Sequence, residues 1–488
     1  MKKISTYLLA LAVMAGLAGC SEKIEMPDDP GTYPPDTLSK PPVDTSDTPD
    51  QPAGNLGKSY LWDESCVPEI HISITEKQWN SLLKSCDTKL GISSHSECNV
   101  RFVKDAEEKT VEAAAIRLYN NWDGNRPEGE KGETHKPSGA KWNFANYEIN
   151  FSKYVGDRTL EGVRKIILKS CYNDPSYVRE KFSFDTFRKE GIWTIPYNTY
   201  CRLWIHVEGD LKSTYMGVYQ MIESIDQQYL SERINQLMGL TEGNLWKCGN
   251  NGVAMNNANL SGSSGTYGAD MDETKEYTYM LMTNLTGFKA AKEQFDSFTS
   301  KLITLRENEF YDWLEGICDV EFLLKTYALS VALGSCDDYW NAGNNYYLYF
   351  SSTDKDNYKL FFIPYDHEIS LGSCCNMPDP GTQSPLNWGK QSNVLISKIL
   401  KNEEYRFIYM DYLWDFYSSD GPLQYQNAIA SFDLLKERIE EYLTNDTGLR
   451  NKVTDLPMPG VPSLRTYRLW DKRNDNFLKT RGEYIYSL

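Results

Sequence analysis

A chain of 488 residues can bury a sizeable core and holds roughly two to four average domains, or one large domain with a tail. Its 68 acidic residues outweigh 51 basic ones, a formal charge of -17, which argues against a nucleic-acid groove or an anionic membrane surface as a long-range partner. With 40% hydrophobic and 13% aromatic residues the composition is globular, and small anions would be held locally by a few Lys or Arg side chains.

At the N-terminus Lys2 and Lys3 precede an apolar run from Tyr7 to Leu17, too short for a bilayer span, and the run ends in LAGC with Cys20. This resembles a bacterial lipoprotein signal: residues 1–19 would be removed and Cys20 lipidated, with an ordinary signal peptide as the alternative. Residues 21–56 hold eight prolines and eight acids and cannot repay their ordering entropy, so 20–58 is expected to be a disordered tether. Glu22 and Glu25 loosely resemble the surface-export signal of Bacteroidetes lipoproteins. The expected location is therefore the cell envelope, at the outer membrane, with the lipid anchor as the membrane contact.

Folded sequence is expected over 59–488. The ten cysteines beyond Cys20 permit disulfides in an oxidising compartment, and Cys66, Cys86 and Cys98 are close enough in sequence for one. Without a CxxC, and with five scattered histidines, a zinc site is not expected.

In chain order, VPEIHISI alternates as a strand, and TEKQWNSLLKSC has helical spacing with Thr75 as N-cap. AAAIRLYN (113–120) is a second strand, a polar loop runs through Gly139, and KWNFANYEINF alternates again. Such a glycine-containing hairpin covers phosphates in kinases, although a long turn would read the same way. VRKIILKS reads as a buried strand, followed by a helix in NDPSYVREKFSFDTFRKEG with Asp174 as N-cap and Pro175 at its first position. Tyr177, Phe184 and Phe187 would share its inward face. Arg179 and Glu180 point about 100° apart, as site residues or as ordinary surface charges. RLWIHVEGDLKSTYMGVYQMIE gives two strands ending in Glu223, GNLWKCG a short strand, and 249–275 a Gly, Ser and Asn-rich loop.

DVEFLLKTYALSVALGS has the helical period and runs into CDDYWNAGNN. Then NYYLYF and YKLFFIPYD form a hairpin ending at Asp366, with Glu368 two residues on. A loop Asp, an Asn, a hairpin and a second Asp follow in the same order in protein kinases. Phosphoryl transfer needs a carboxylate to orient the attacking hydroxyl and hard oxygen ligands for magnesium, which Asp and Asn supply. The interval from Asp338 to Asn344 is one longer than the ordinary kinase pattern, and turn or capping roles for Asp337, Asp338, Asn341, Gly343 and Asn344 are the alternative.

These pieces together, with IRL at 116–118, ILKSCYNDPSYVRE, GVYQMIE, GNLWK, FFIPYDHE and PLNWG before LISKILKNEEYR, resemble the CotH family of spore-coat protein kinases. The resemblance implies an α+β, atypical protein-kinase-like fold: a mixed or antiparallel sheet lobe with a glycine-containing hairpin, and a helical lobe. By that resemblance Asp338, with Asp337 as close rival, orients the substrate hydroxyl, and Asp366 with Asn345 or Asn344 binds magnesium or manganese. Lys141 is the candidate phosphate lysine and Glu180 its partner, while Arg179, Glu223 and Lys247 would line an ATP pocket. The sequence departs from the family after the IRL strand, where LYNNWDGN lacks the usual lysine and small serines, and Tyr119 and Trp122 would crowd a phosphate cradle. Two functions follow: a magnesium-dependent kinase acting from ATP on Ser or Thr of an envelope or surface protein, or a catalytically inactive surface module that binds protein or glycan in the same cleft.

Overall fold

The computed structural model describes residues 57–88, 94–119, 126–240, 242–249, 258–261, 265–270, 275, 277–374, 377–389, 393–455, 467–471 and 476–488. The expected signal and nearly all of the tether, with Cys20, lie outside the described residues, as do Trp122, Cys375 and most of 249–275.

Seven strands close into a barrel: β1 (Glu69–Ile74), β2 (Ser96–Lys104), β3 (Glu107–Leu118), β4 (Tyr147–Asn150), β5 (Lys165–Lys169), β6 (Asn198–Val207) and β7 (Thr214–Glu223), in the order β1-β2-β3-β4-β5-β7-β6. Neighbours are antiparallel except β1 and β6, which pair in parallel and close the ring. Closure removes the free edges that an open lobe would leave, so the sheet is mixed as expected but barrelled. Alternate residues such as Ile70, Ile72, Val100, Phe102, Ile166 and Leu168 fill the interior, where Trp79, Leu82 and Leu83 join them. Those three come from helix α2 (Glu76–Thr88), which follows the short α1 (Gly57–Trp62). Thr75 caps α2 as its position implies, its Oγ1 accepting from Gln78 N at 3.2 Å.

The outer face of β5 and β7 is also buried. Ile167, Val218 and Ile222 pack with Phe182, Phe184 and Phe187 of α3 (Arg179–Lys189). The helix starts later than Asp174 and Pro175 suggested: residues 174–178 form turns, and the Asp174 carboxylate accepts from Ser176 N at 3.0 Å and Arg179 N at 2.8 Å.

A five-stranded sheet lies in the second half, with β8 (Asn244–Cys248), β9 (Tyr267–Ala269), β10 (Tyr279–Leu281), β11 (Tyr346–Phe350) and β12 (Leu360–Pro364) in the order β12-β11-β8-β10-β9. Around it are α4 (Phe288–Thr304), α5 (Glu307–Ile317), α6 (Val320–Ala332), α7 (Tyr339–Ala342), α8 (Val394–Ile399), α9 (Glu403–Tyr417), α10 (Tyr425–Glu440) and α11 (Phe477–Tyr486). The apolar α6 is buried nearly all round, as a helix without a polar face must be. It ends at Gly334 (φ +69°), where the Phe477 ring lies so close that a Cβ would collide with it, so the C-terminal helix is docked on the turn that leads into the candidate site. Among the described residues, no helix is long and apolar enough to cross a membrane.

Cys336 and Cys374 form a disulfide. The pairing considered among Cys66, Cys86 and Cys98 does not form: all three are free thiols, and burial raises those of Cys86 and Cys98.

Candidate functional site

Strand periodicity sets the first residue of the site. Ile166 and Leu168 point into the barrel, so Ile167 and Lys169 lie on the opposite face, toward α3. There the Lys169 ammonium donates to Glu180 Oε1 at 2.9 Å and Asp366 Oδ1 at 3.0 Å, and Glu368 Oε2 is 3.4 Å away. Glu180 is on the first turn of α3. Asp366 follows β12, next to Asn345 at the start of β11, because Tyr365 N donates to Asn345 O at 3.1 Å. Asn345 and Asp366 both take left-handed backbone angles, φ 55° and 57°, which Asn and Asp tolerate better than most residues.

The two candidate acids of the loop separate in role. Asp338 Oδ1 accepts from Asn341 N at 2.9 Å and caps α7. The half-buried Asp337 accepts from Asn345 Nδ2 at 3.0 Å and from Asn344 Nδ2 at 3.3 Å, and Asn345 Nδ2 also donates to Asp337 O at 2.8 Å. The two acids thus differ in surroundings: Asp338 serves the helix cap, while Asp337 faces the amides that precede β11. The adjacent Cys336–Cys374 disulfide ties the Asp337 turn to the segment after Glu368.

Electrostatically the site is acidic. Burial alone would lower the Lys169 ammonium, but Asp366, Glu180 and Glu368 hold it well above the ordinary lysine value. One lysine does not neutralise three carboxylates: burial, then Asp366 and Glu368, pushes Glu180 up to about 8 against the pull of Lys169. Burial and Asp366 likewise push Glu368 up to about 7. Asp337 rises to about 6 through burial and Asp366, and Asp338 to about 7 chiefly through burial. His367, between these acids, turns away. Its Nδ1 is 2.9 Å from Ser335 Oγ, and burial lowers it to about 4.

Several expected residues are placed elsewhere. Lys141 is exposed and pairs with Glu130 at 2.8 Å, so the expected pair with Glu180 does not form. Its loop is drawn the other way, toward α2 and the β6–β7 turn, by Arg126 on Asp87 at 2.8 Å and by His135, whose ring nitrogens lie 2.8 Å from Glu128 and 3.0 Å from Asp210. Arg179 is fully buried and clamps the turn before α3, donating to Asp174 at 2.8 Å and Ser176 at 3.1 Å. Glu223 faces Arg233 at 2.6 Å; in register it opposes Ile166, whereas Gln220 opposes Lys169, which puts it about 10 Å along the strand from the site. Lys247 on β8 is buried, its ammonium 5.2 Å from the centre of the Tyr119 ring.

Lys169 and Asn173, which donates to Glu368 Oε1 at 2.8 Å, were not singled out from sequence, and Glu368 was noted beside Asp366 without a role of its own. The available signal was one lysine at the end of the apolar strand VRKIILKS, on the face opposite the core and just before the helix bearing Glu180.

The donors fit a hard divalent cation: the carboxylates of Asp337, Asp366 and Glu368 and the amides beside them are oxygen ligands of the type magnesium and manganese take. As they stand, no three His, Cys, Asp or Glu among the described residues are grouped to hold a metal ion; the cation between Glu180, Asp366 and Glu368 is the lysine ammonium.

The chain is similar to the inner spore coat protein H of Bacillus subtilis (strain 168), 24% identical over 312 residues that cover 63% of this chain and 76% of that protein. Residues 138–485 match the family model described as CotH kinase protein, a span from the loop before β4 to α11, and the chain therefore belongs to the CotH kinase family.

Proposed function

We propose that the protein is an atypical kinase that transfers phosphate from ATP to Ser or Thr hydroxyls of an envelope or surface protein, with magnesium or manganese. The observation that carries this reading is the Lys169–Glu180 pair beside Asp366, a strand lysine, a helix acid and a post-hairpin acid brought together from three distant segments. Kinases use those types to orient phosphates and grip the metal. Lys169, fixed by Glu180, would contact the phosphates. Asp337, held by Asn344 and Asn345, would accept the proton of the incoming hydroxyl, and with a pKa near 6 it is ionised yet still basic at neutral pH. Asp366, Asn345 and Glu368 would hold the cation, which when bound supplies charge neutralisation at the phosphates. Lipidation at Cys20 would place this domain in the envelope on its proline-rich tether.

A second reading, a catalytically inactive module that binds protein or glycan in the same cleft, draws support from Tyr119, which packs from the barrel against the second sheet. Incubation of the protein with labelled ATP and magnesium or manganese separates the two. Transfer of label to the protein itself or to envelope proteins, lost in Asp366→Ala, is the expected result. No transfer and no nucleotide-induced thermal shift would leave the binding module.

A further inference from the structure

Three carboxylates surround one ammonium where β5, α3 and the segment after β12 meet. Lys169 Nζ is 2.9 Å from Glu180 Oε1, 3.0 Å from Asp366 Oδ1 and 3.4 Å from Glu368 Oε2. The three acids are not equally deep. The Glu180 side chain is 1% exposed, that of Asp366 10% and that of Glu368 13%, so Asp366 and Glu368 form the side of the cluster nearer to solvent. Glu368 is also held independently of the lysine: Asn173 Nδ2 donates to its other oxygen, Oε1, at 2.8 Å. Asn173 lies in a turn closed by Asp174 N on Cys171 O at 3.1 Å and clamped by Arg450, which donates to Tyr172 O at 3.0 Å. Its Oδ1 is buried and accepts no hydrogen bond from the described residues, and such an amide oxygen is of the type that hard cations take. The oxygens are therefore fixed by the turn, whereas the ammonium ends a flexible four-carbon stem and is the part free to move.

We propose that Lys169 is a tethered stand-in for a metal ion: its ammonium yields Asp366 and Glu368 to an arriving divalent cation, withdraws to Glu180 alone, and only then meets a phosphate. This deepens the kinase reading, on which the last clause rests; the exchange itself needs only that a divalent cation enters the cluster. Two cations drawn to the same carboxylates repel one another, so the lysine weakens metal binding and its removal strengthens it.

The test uses the full chain and manganese without nucleotide near neutral pH, with the free ion counted by its paramagnetic resonance signal. Lys169→Met should bind manganese at least about tenfold more tightly than the parent, whereas Lys169→Arg, which keeps the positive charge, should stay within about threefold of it. Lys169→Gln removes the charge while keeping a hydrogen-bond donor, and serves if the methionine variant does not fold. A lysine that merely props the site open predicts the opposite sign, because a loosened site binds metal more weakly. Equal or weaker manganese binding in the methionine or glutamine variant overturns the exchange, and label transfer from ATP by the parent would then leave the kinase standing. Tighter manganese binding in those variants with no ATP binding by any of the proteins upholds the exchange and sinks the kinase, and no manganese binding by any of them sinks both.

Discussion

Replacement of Lys169 by methionine should destabilise the protein in a strongly pH-dependent way. The Lys169 side chain is 5% exposed and that of Glu180 1%, and the ammonium is bonded to Glu180 and Asp366 with Glu368 close by. Removing one partner of a buried pair costs about 3–5 kcal/mol when the other stays charged. Glu180 can avoid that cost by taking up a proton, since its pKa already lies at about 8. At pH 6 the variant should lose only its hydrogen bonds, about 1–2 kcal/mol. Without the lysine's pull the Glu180 pKa rises further above about 8, so the loss relative to the parent should grow by about 1.4 kcal/mol from that group alone between pH 8 and pH 9. Urea unfolding of parent and variant at pH 6 and pH 9 gives both differences, with Glu180→Gln as control, which should cost little at pH 9 because it relieves the crowded carboxylates. An equal loss at the two pH values, or none at either, would refute the charge assignment of the site.

Asp337→Asn should abolish phosphate transfer, whereas Asp338→Ala should keep transfer and lose about 1 kcal/mol of stability as a helix cap; the reverse pattern in a labelled-ATP assay would return the catalytic role to Asp338. Lys141→Ala should leave both transfer and the unfolding midpoint unchanged, measured by the same assay and by unfolding. Reduction of Cys336–Cys374, which spans 38 residues, or its replacement by Ser, should cost up to about 4 kcal/mol from the released chain entropy, read as a lower urea midpoint. Affinity for manganese, followed by its paramagnetic resonance signal, should rise from pH 5.5 to 8 as Glu368, raised to about 7, gives up its proton; a flat profile would exclude it as a ligand.

Much of the fold could be read from local pattern. The alternation of VPEIHISI and YKLFFIPYD and the helical period of 319–335 each act within a few residues, and the structure bears out these elements; of KWNFANYEINF only Tyr147–Asn150 form a strand, with an isolated bridge at Trp142 before it. The acids around 337 and 366 were legible because a hairpin of known length returns the chain to where it left. β2, barrel closure and helices α4 and α5 were not singled out, the first two because strand pairing is a long-range choice that no single segment encodes.

The sequence by itself determined which residue types the protein has for phosphate and metal chemistry, and in what order they come. Only the tertiary structure decided which of them meet. Lys141 and Lys169 both lie near strands, and the choice between them depended on loop 126–142 being pulled onto α2 by Arg126 and His135 while β5 turned Lys169 outward to α3. Asp337 and Asp338 are neighbours in sequence, yet one became a helix cap and the other met Asn345, because a single turn sends adjacent side chains in different directions. Contacts over 197 residues, such as Lys169 with Asp366, are set by how the barrel and the second sheet pack, and that packing is a property of the whole chain.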